Sequence, residues 1–290
     1  MRFRFPGVAI TLQRYSGGAM SDTGALLGRL QTGGFISASP TLHDLDGDGH
    51  LEIIVGSDAL YVFRPDGSLL PGFPVHGDNA FASTAAVGDV DGDGRPEIVV
   101  GCDDNRLYSW RTDGTLLPGF PLSTGGDVYS SPCLADLRGD GTLAIIVGSD
   151  DGCLYAWDGT GRYMPGFPQQ TGGFVSASPA VADLDGDGRP EIVCGSWDGK
   201  VYAWDAEGKS MTGFPQQTGH FVWSSAAIGD LDGDGRREIV VASDKLYAWH
   251  ADGTAVAGFP LPLGSYAVSS PAQSRAGPYR PATRYSPHRR

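Results

Sequence analysis

Five short acidic loops begin at Asp44, Asp89, Asp136, Asp183 and Asp230, so they recur at spacings of 45, 47, 47 and 47 residues. A fixed period in this range means a repeat architecture, with each repeat forming one supersecondary unit. The clearest copy, 171–217, divides into four β segments: 175–182, the β-branched 191–195, the alternating 200–204, and a last segment after Gly213-Phe214-Pro215. Asp-Gly, Gly-Lys and Pro separate them, and no stretch carries a helical period.

Four short strands per 40–50 residues are the signature of a β-propeller blade, in which radial repetition leaves only short protected edges. The expected fold is therefore all-β: a propeller of four-stranded blades, with five recognisable repeats of about 47 residues and partial units at both ends. Tyr61 and Phe63, Tyr108 and Trp110, Tyr155 and Trp157, Tyr202 and Trp204, and Tyr247 and Trp249 each lie two apart, on one strand face. Together with Phe73, Phe120, Phe167, Phe214 and Phe259 of the recurring Gly-Phe-Pro, they are expected to pack between blades.

Composition excludes several other classes. With 44 Gly in 290 residues a helical bundle is disfavoured, because each interior Gly costs a helix about 1 kcal/mol relative to Ala. A net charge of −13 speaks against nucleic-acid binding, and no apolar run is long enough for a transmembrane helix. Cys102, Cys133, Cys153 and Cys194 occupy four different repeat positions and form no CxxC pair, so they read as ordinary thiols rather than a disulfide framework or zinc site. The expected domain limits are a disordered or non-native leader at 1–19, a propeller at 20–272, and a disordered basic tail at 273–290. A fourth strand of a preceding blade is expected near Met20. From Arg275 onward there are five Arg and no acid where another Asp loop is due, which suggests a truncated gene or shifted reading frame.

Eighteen of the 34 acidic residues sit in the five loops, and clustered carboxylates need a cation. In the first, Asp44, Asp46, Asp48 and Glu52 fall at positions 1, 3, 5 and 9, with Gly49 at position 6 and the carbonyl of His50 available at position 7. Hard oxygen ligands in this number suit Ca²⁺ better than the tighter octahedron of Mg²⁺. The pattern is intact at Asp89, Asp91, Asp93, Arg95 and Glu97; at Asp183, Asp185, Asp187, Arg189 and Glu191; and at Asp230, Asp232, Asp234, Arg236 and Glu238. The three Arg, like His50, would contribute only their backbone carbonyls. An EF-hand is excluded because position 12 holds Val55, Val100, Cys194 and Val241. The loop at Asp136 carries Arg138 and Ala144 at positions 3 and 9, and no metal is expected there. A plain hairpin turn explains the Gly residues but not four carboxylates.

These loops and the Tyr-x-Trp, Asp-Gly and Pro-Gly-Phe-Pro spacing resemble the FG-GAP (VCBS) repeats of integrin-α-type propellers over about 35–272. The resemblance implies calcium held by the nine-residue loop between the first two strands of a blade, here four structural Ca²⁺ sites. It also implies a role in adhesion or ligand recognition, or as an accessory module of an enzyme. The family's usual ring has seven blades.

Strand alternation puts the calcium loops at one end of each blade and the 2-to-3 loops and inter-blade links at the other. Aromatic residues at that other end are Phe35, Phe81, Tyr129, Phe174, Trp223 and Tyr266 in the links and Trp197 in a 2-to-3 loop. Tyr129, Phe174, Trp197 and Trp223 are the candidate ligand contacts, since exposed aromatics suit sugar rings and protein hot spots. The alternative is that they plug the ring's axis. No nucleophile elbow, metalloprotease helix or phosphate loop is present, and the six His occupy different repeat positions. The expected function is a calcium-binding extracellular or cell-surface adhesion module with a protein or carbohydrate ligand. The alternatives are a propeller of a polysaccharide-degrading enzyme and a structural spacer.

Overall fold

The computed structural model describes residues 2–5, 8–13, 16–20, 26–265 and 267, those before Leu30 by backbone alone. Tyr266, the opening of a further unit at 269–272 and the tail 273–290 lie outside the described residues. Every regular element described is a β-strand, and no helix is long and apolar enough to cross a membrane. The strands form five four-stranded antiparallel sheets and one of three strands, each pairing with its neighbour in sequence. The N-terminal sheet contains Arg2–Phe5, Val8–Gln13, Ser16–Met20 and Leu26–Leu30, so residues assigned to a leader run as strands. The three-stranded sheet, Thr41–His43, Glu52–Gly56 and Leu60–Phe63, has a single bridge from Leu60 to Val75 in place of its fourth strand.

Repeat 171–217 becomes Ala180–Ala182, Glu191–Gly195, Lys200–Trp204 and Gln216–Gln217. The second and third strands match the sequence expectation, but the first is cut to its last three residues. Two backbone donors within 175–179 are directed outside their own sheet: Val175 N–H to Ser149 O at 3.0 Å and Ser178 N–H to Ser225 Oγ at 3.0 Å. Pro179 has no N–H to give. The Ser178 bond belongs to a ladder joining consecutive links, with Thr84 N–H to Ser131 Oγ and Ser131 N–H to Ser178 Oγ, both at 3.0 Å.

The second strand of each repeat is buried along its whole length in Glu52–Gly56, Glu97–Cys102, Ala144–Gly148 and Glu191–Gly195. Burial on both faces requires a neighbouring sheet on each side, and the apolar clusters cross sheets accordingly. Ile54, Leu60 and Val62 of one repeat pack with Ile98, Val100, Tyr108 and Trp110 of the next. The paired aromatics stack on their own strand, Tyr108 on Trp110 and Tyr155 on Trp157, both at 4.8 Å. Phe73, Phe120, Phe167 and Phe214 are buried against these clusters, which makes the aromatic repeat an inter-sheet packing device. The first strands of consecutive sheets touch one another in order from Ala86–Gly88 to Ala227–Gly229. At the far end of the second strand, a Cβ on Gly148 would sit 2.1 Å from Val175 O, so only glycine lets the following link approach.

Metal loops and the aromatic end of the sheets

Each acidic loop is a turn tied by its first Asp. Asp44 accepts the N–H of Gly47 at 2.8 Å and of Gly49 at 3.1 Å, and both glycines adopt positive φ, 76° and 87°. The same pair of bonds recurs from Asp89, Asp183 and Asp230. Position 7 is fixed by its N–H to the fifth-position carboxylate, for His50, Arg95, Arg189 and Arg236 at 2.7, 2.8, 2.7 and 2.7 Å. The loop at Asp136 keeps this turn, with Gly139 and Gly141 donating to Asp136 at 2.7 and 2.8 Å, although it lacks acids at positions 3 and 9. Asp and Gly therefore suffice for the turn, and the additional carboxylates of the other four loops are surplus to it.

The ninth-position Glu begins the second strand and is buried: Glu52, Glu97 and Glu238 at 0 % exposure and Glu191 at 3 %. One oxygen of each accepts the N–H of position 2, at 2.8 Å from Leu45, 3.0 Å from Val90, 2.6 Å from Leu184 and 2.7 Å from Leu231. The other oxygen of Glu52 and of Glu97 is sealed from solvent with no hydrogen-bond partner. Burial, reinforced by the neighbouring Asp charges, raises the carboxyls of Glu52, Glu97 and Glu191 above their ordinary range. Carboxylate oxygens of Asp44, Asp46 and Asp48 lie within 4.8 Å of one another, as do those of Asp89, Asp91 and Glu97, of Asp183, Asp185 and Glu191, and of Asp230, Asp232 and Asp234. All four groups could hold a metal ion.

At the other end, three of the four candidate ligand residues come together. The backbone N–H of Trp197 donates to Phe174 O at 2.9 Å, and the Trp197 ring lies 5.2 Å from Phe174 and 5.0 Å from Trp223. Phe221 stacks on the same indole at 5.3 Å, with His220 against Phe221 at 4.0 Å. Phe174 and Trp223 are 45 % and 41 % exposed, whereas Trp197 and Phe221 are half-buried and the Trp197 indole nitrogen is sealed from solvent with no hydrogen-bond partner. Phe221 was not singled out in the sequence; aligning the links on Thr171-Gly172 and Thr218-Gly219 would have placed it with Phe174. Tyr129 stands apart, beside the carboxylates of Asp103, Asp127 and Asp150. Burial, with the charges of Asp127 and Asp150, pushes Asp103 up to about 6. Phe81 is not at the surface. Counted from Phe73-Pro74 it falls at the position of Val128, Val175 and Val222, and it is fully buried edge-on against Tyr108 and Trp110.

The four cysteines are free thiols, two of them buried, and burial raises Cys102 and Cys194 to about 12. This is the opposite of an activated nucleophile.

Among solved structures the chain is similar to the computationally designed Ika8 protein, at 15 % identity and a TM-score of 0.64, covering 90 % of this chain and 74 % of that one. It is also similar to BamB from Moraxella catarrhalis, at 14 % identity and 0.64, covering 88 % and 73 %. A third likeness is to the V. cholerae biofilm matrix protein Bap1, at 21 % identity and 0.60, covering 85 % of this chain but 42 % of that one. At these identities the likeness is one of fold, which is β-propeller-like. No curated protein matches the chain. The model of the FG-GAP-like repeat matches residues 44–100, 89–147 and 183–241, together more than half of the sequence, and the chain belongs to the FG-GAP-like repeat family.

Proposed function

We propose that the chain is a calcium-stabilised, propeller-like binding module that works outside the cell and engages a protein or carbohydrate ligand through the aromatic end of its sheets. The observation that carries this reading is the separation of two chemistries at opposite ends of the same strands. One end repeats an oxygen-rich loop, while the other gathers Phe174, Phe221 and Trp223 within about 5 Å of the half-buried Trp197 ring, with Phe174 and Trp223 exposed to solvent. Calcium fits the loop end because its donors are hard carboxylate oxygens and because Glu52 and Glu97 each keep a buried oxygen with no protein donor. The position-7 carbonyls of His50, Arg95, Arg189 and Arg236 complete the proposed shell. Weak oxygen sites fill at extracellular calcium concentrations, and a biofilm matrix protein among the structural relatives fits that location.

Cation content and ligand capture test the two halves separately. Equilibrium dialysis is expected to give four Ca²⁺ per chain, with a chelator lowering the melting temperature. A glycan and matrix-protein array in calcium is expected to give a ligand whose binding is lost in Trp223→Ala and Trp197→Ala. Calcium-free folded protein would overturn the loop reading, and ligand binding indifferent to both substitutions would overturn the aromatic one.

A further inference from the structure

The residue after each aromatic pair stands across the sheet from the ninth loop position. Arg111 pairs in register with Glu97. One step beyond the last paired residues, Arg64 faces Glu52, Asp158 faces Ala144, Asp205 faces Glu191 and His250 faces Glu238. The first two are guanidiniums that reach into their loops, Arg64 to Asp46 at 3.6 Å and Arg111 to Asp91 at 3.0 Å. The third repeat reverses the charges, with Arg138 in the loop and Asp158 opposite. The fourth sets Asp205 against a loop that is already acidic. Of these five residues, only His250 has a side-chain nitrogen with a lone pair for a metal ion.

His250 Nδ1 lies 3.2 Å from Oε1 of the fully buried Glu238. The imidazole is held there by its backbone, which accepts from Gly253 N–H and donates to Thr254 O, both at 2.9 Å. A ring nitrogen of His250, an oxygen of Glu238 and an oxygen of Asp232 all lie within 4.8 Å of one another. A His–Glu hydrogen bond alone would account for the 3.2 Å contact, but not for the Asp232 oxygen in the same group. Arg236 and Arg237 line a cleft together with His250, and the Arg237 guanidinium donates to the carbonyl of Asp183 at 2.8 Å.

We propose that Asp232, Glu238 and His250 form a mixed nitrogen and oxygen site for a borderline divalent ion of the zinc class, so that the fifth acidic loop differs in cation preference from the other three intact loops. Calcium takes oxygen ligands, whereas an imidazole with two carboxylates matches ions such as Zn²⁺ and Co²⁺. The cross-strand residue is then the position that sets what each loop binds. The inference rests on the loops being cation sites.

Co²⁺ titrated into the full chain in excess Ca²⁺, and followed by visible absorption, tests it. The expected result is one Co²⁺ per chain, displaced by Zn²⁺. His250→Asp and His250→Gln are each expected to weaken cobalt binding at least about tenfold, with the calcium-loaded melting temperature reporting that both variants fold. Cobalt held equally well by His250→Gln overturns the proposal, as does a chain that holds calcium but no cobalt; both outcomes leave the calcium reading standing. A folded chain that holds neither cation overturns both.

Discussion

The sealed oxygen of Glu97 permits a test in which one substitution acts with opposite sign in two buffers. Without a cation, Glu97 is a carboxylate at 0 % exposure with Oε2 bonded to Val90 N–H, Oε1 unpartnered, and Asp89 and Asp91 oxygens within 4.8 Å. An unsatisfied buried polar atom costs about 1–3 kcal/mol, and the charge adds repulsion from those two acids. In Glu97→Gln the amide oxygen still accepts from Val90, and the new N–H₂ donates toward Asp89 and Asp91. The chelated variant is therefore expected to be more stable than the chelated parent by about 1–2 kcal/mol. At about 2–4 °C per kcal/mol for a chain of this class, that raises the melting temperature by about 2–8 °C. In calcium the order reverses. A site filled at about a hundredfold over its dissociation constant adds about 2.7 kcal/mol, and the variant loses most of that. Thermal melts of both proteins in chelator and in millimolar calcium decide the matter. A variant that melts below the parent by the same margin in both buffers would refute the reasoning, because Glu97 would then be only a strut for the turn.

Acidification extends the same logic. Because burial raises Glu52, Glu97, Glu191 and Asp150 in the folded chain, and Asp103 to about 6, the folded state takes up protons that the unfolded state does not. The chelated protein is thus expected to gain stability as pH falls from 7 toward the unfolded values near 4 to 4.5, while the calcium-loaded protein loses it as protons displace the ion. Asp103→Asn is expected to stabilise the fold at pH 7 by on the order of 1 kcal/mol after allowing for solvent screening, read as a higher melting temperature, with the gain gone below about pH 4. Gly148→Ala forces a Cβ to 2.1 Å from Val175 O and is expected to cost about 2–4 kcal/mol, read by urea denaturation; a neutral result would mean that the link moves freely. Arg138→Asp combined with Ala144→Glu is expected to add one Ca²⁺ per chain at the Asp136 loop, which already has the turn.

Much of the fold was legible because its signals are local. Asp and Gly at fixed offsets dictate the loop turn whatever surrounds it, as the Asp136 loop demonstrates, and the β-branched run bounded by such turns marks the second strand of repeat 171–217, Glu191–Gly195, to the residue. The first strand was misjudged because its length depends on bonds to other repeats: Val175 and Ser178 spend their N–H groups on Ser149 and Ser225, 26 and 47 residues away. Phe81 was misplaced for a simpler reason, since counting from Phe73-Pro74 puts it at a buried valine position. The acidic neighbours of Tyr129 were not legible at all. Asp150 meets Asp127 through a backbone bond of 2.9 Å between a 2-to-3 loop and the preceding link, and Ser176 of the next link reaches Asp150 at 2.6 Å. Those partners are distant in sequence and carry no motif.

The two ends of the sheets differ in how repetition constrains them. At the loop end the first Asp and the two Gly recur because each turn is built by its own residues, and variation falls on the remaining loop positions, as at Arg138 and Ala144, and on the position across the strand, occupied in turn by Arg64, Arg111, Asp158, Asp205 and His250. At the other end the backbone bond between a 2-to-3 loop and a link is indifferent to side chain: Asp103 N–H to Ala80, Asp150 N–H to Asp127 and Trp197 N–H to Phe174 are the same contact at 3.0, 2.9 and 2.9 Å. Side chains there are free to differ, and they change from a cluster of half-buried acids to a cluster of partly exposed rings over two successive repeats. A ligand surface can be written onto that end without disturbing the frame, and this is why specificity in such a chain is to be sought in the residues that break the repeat.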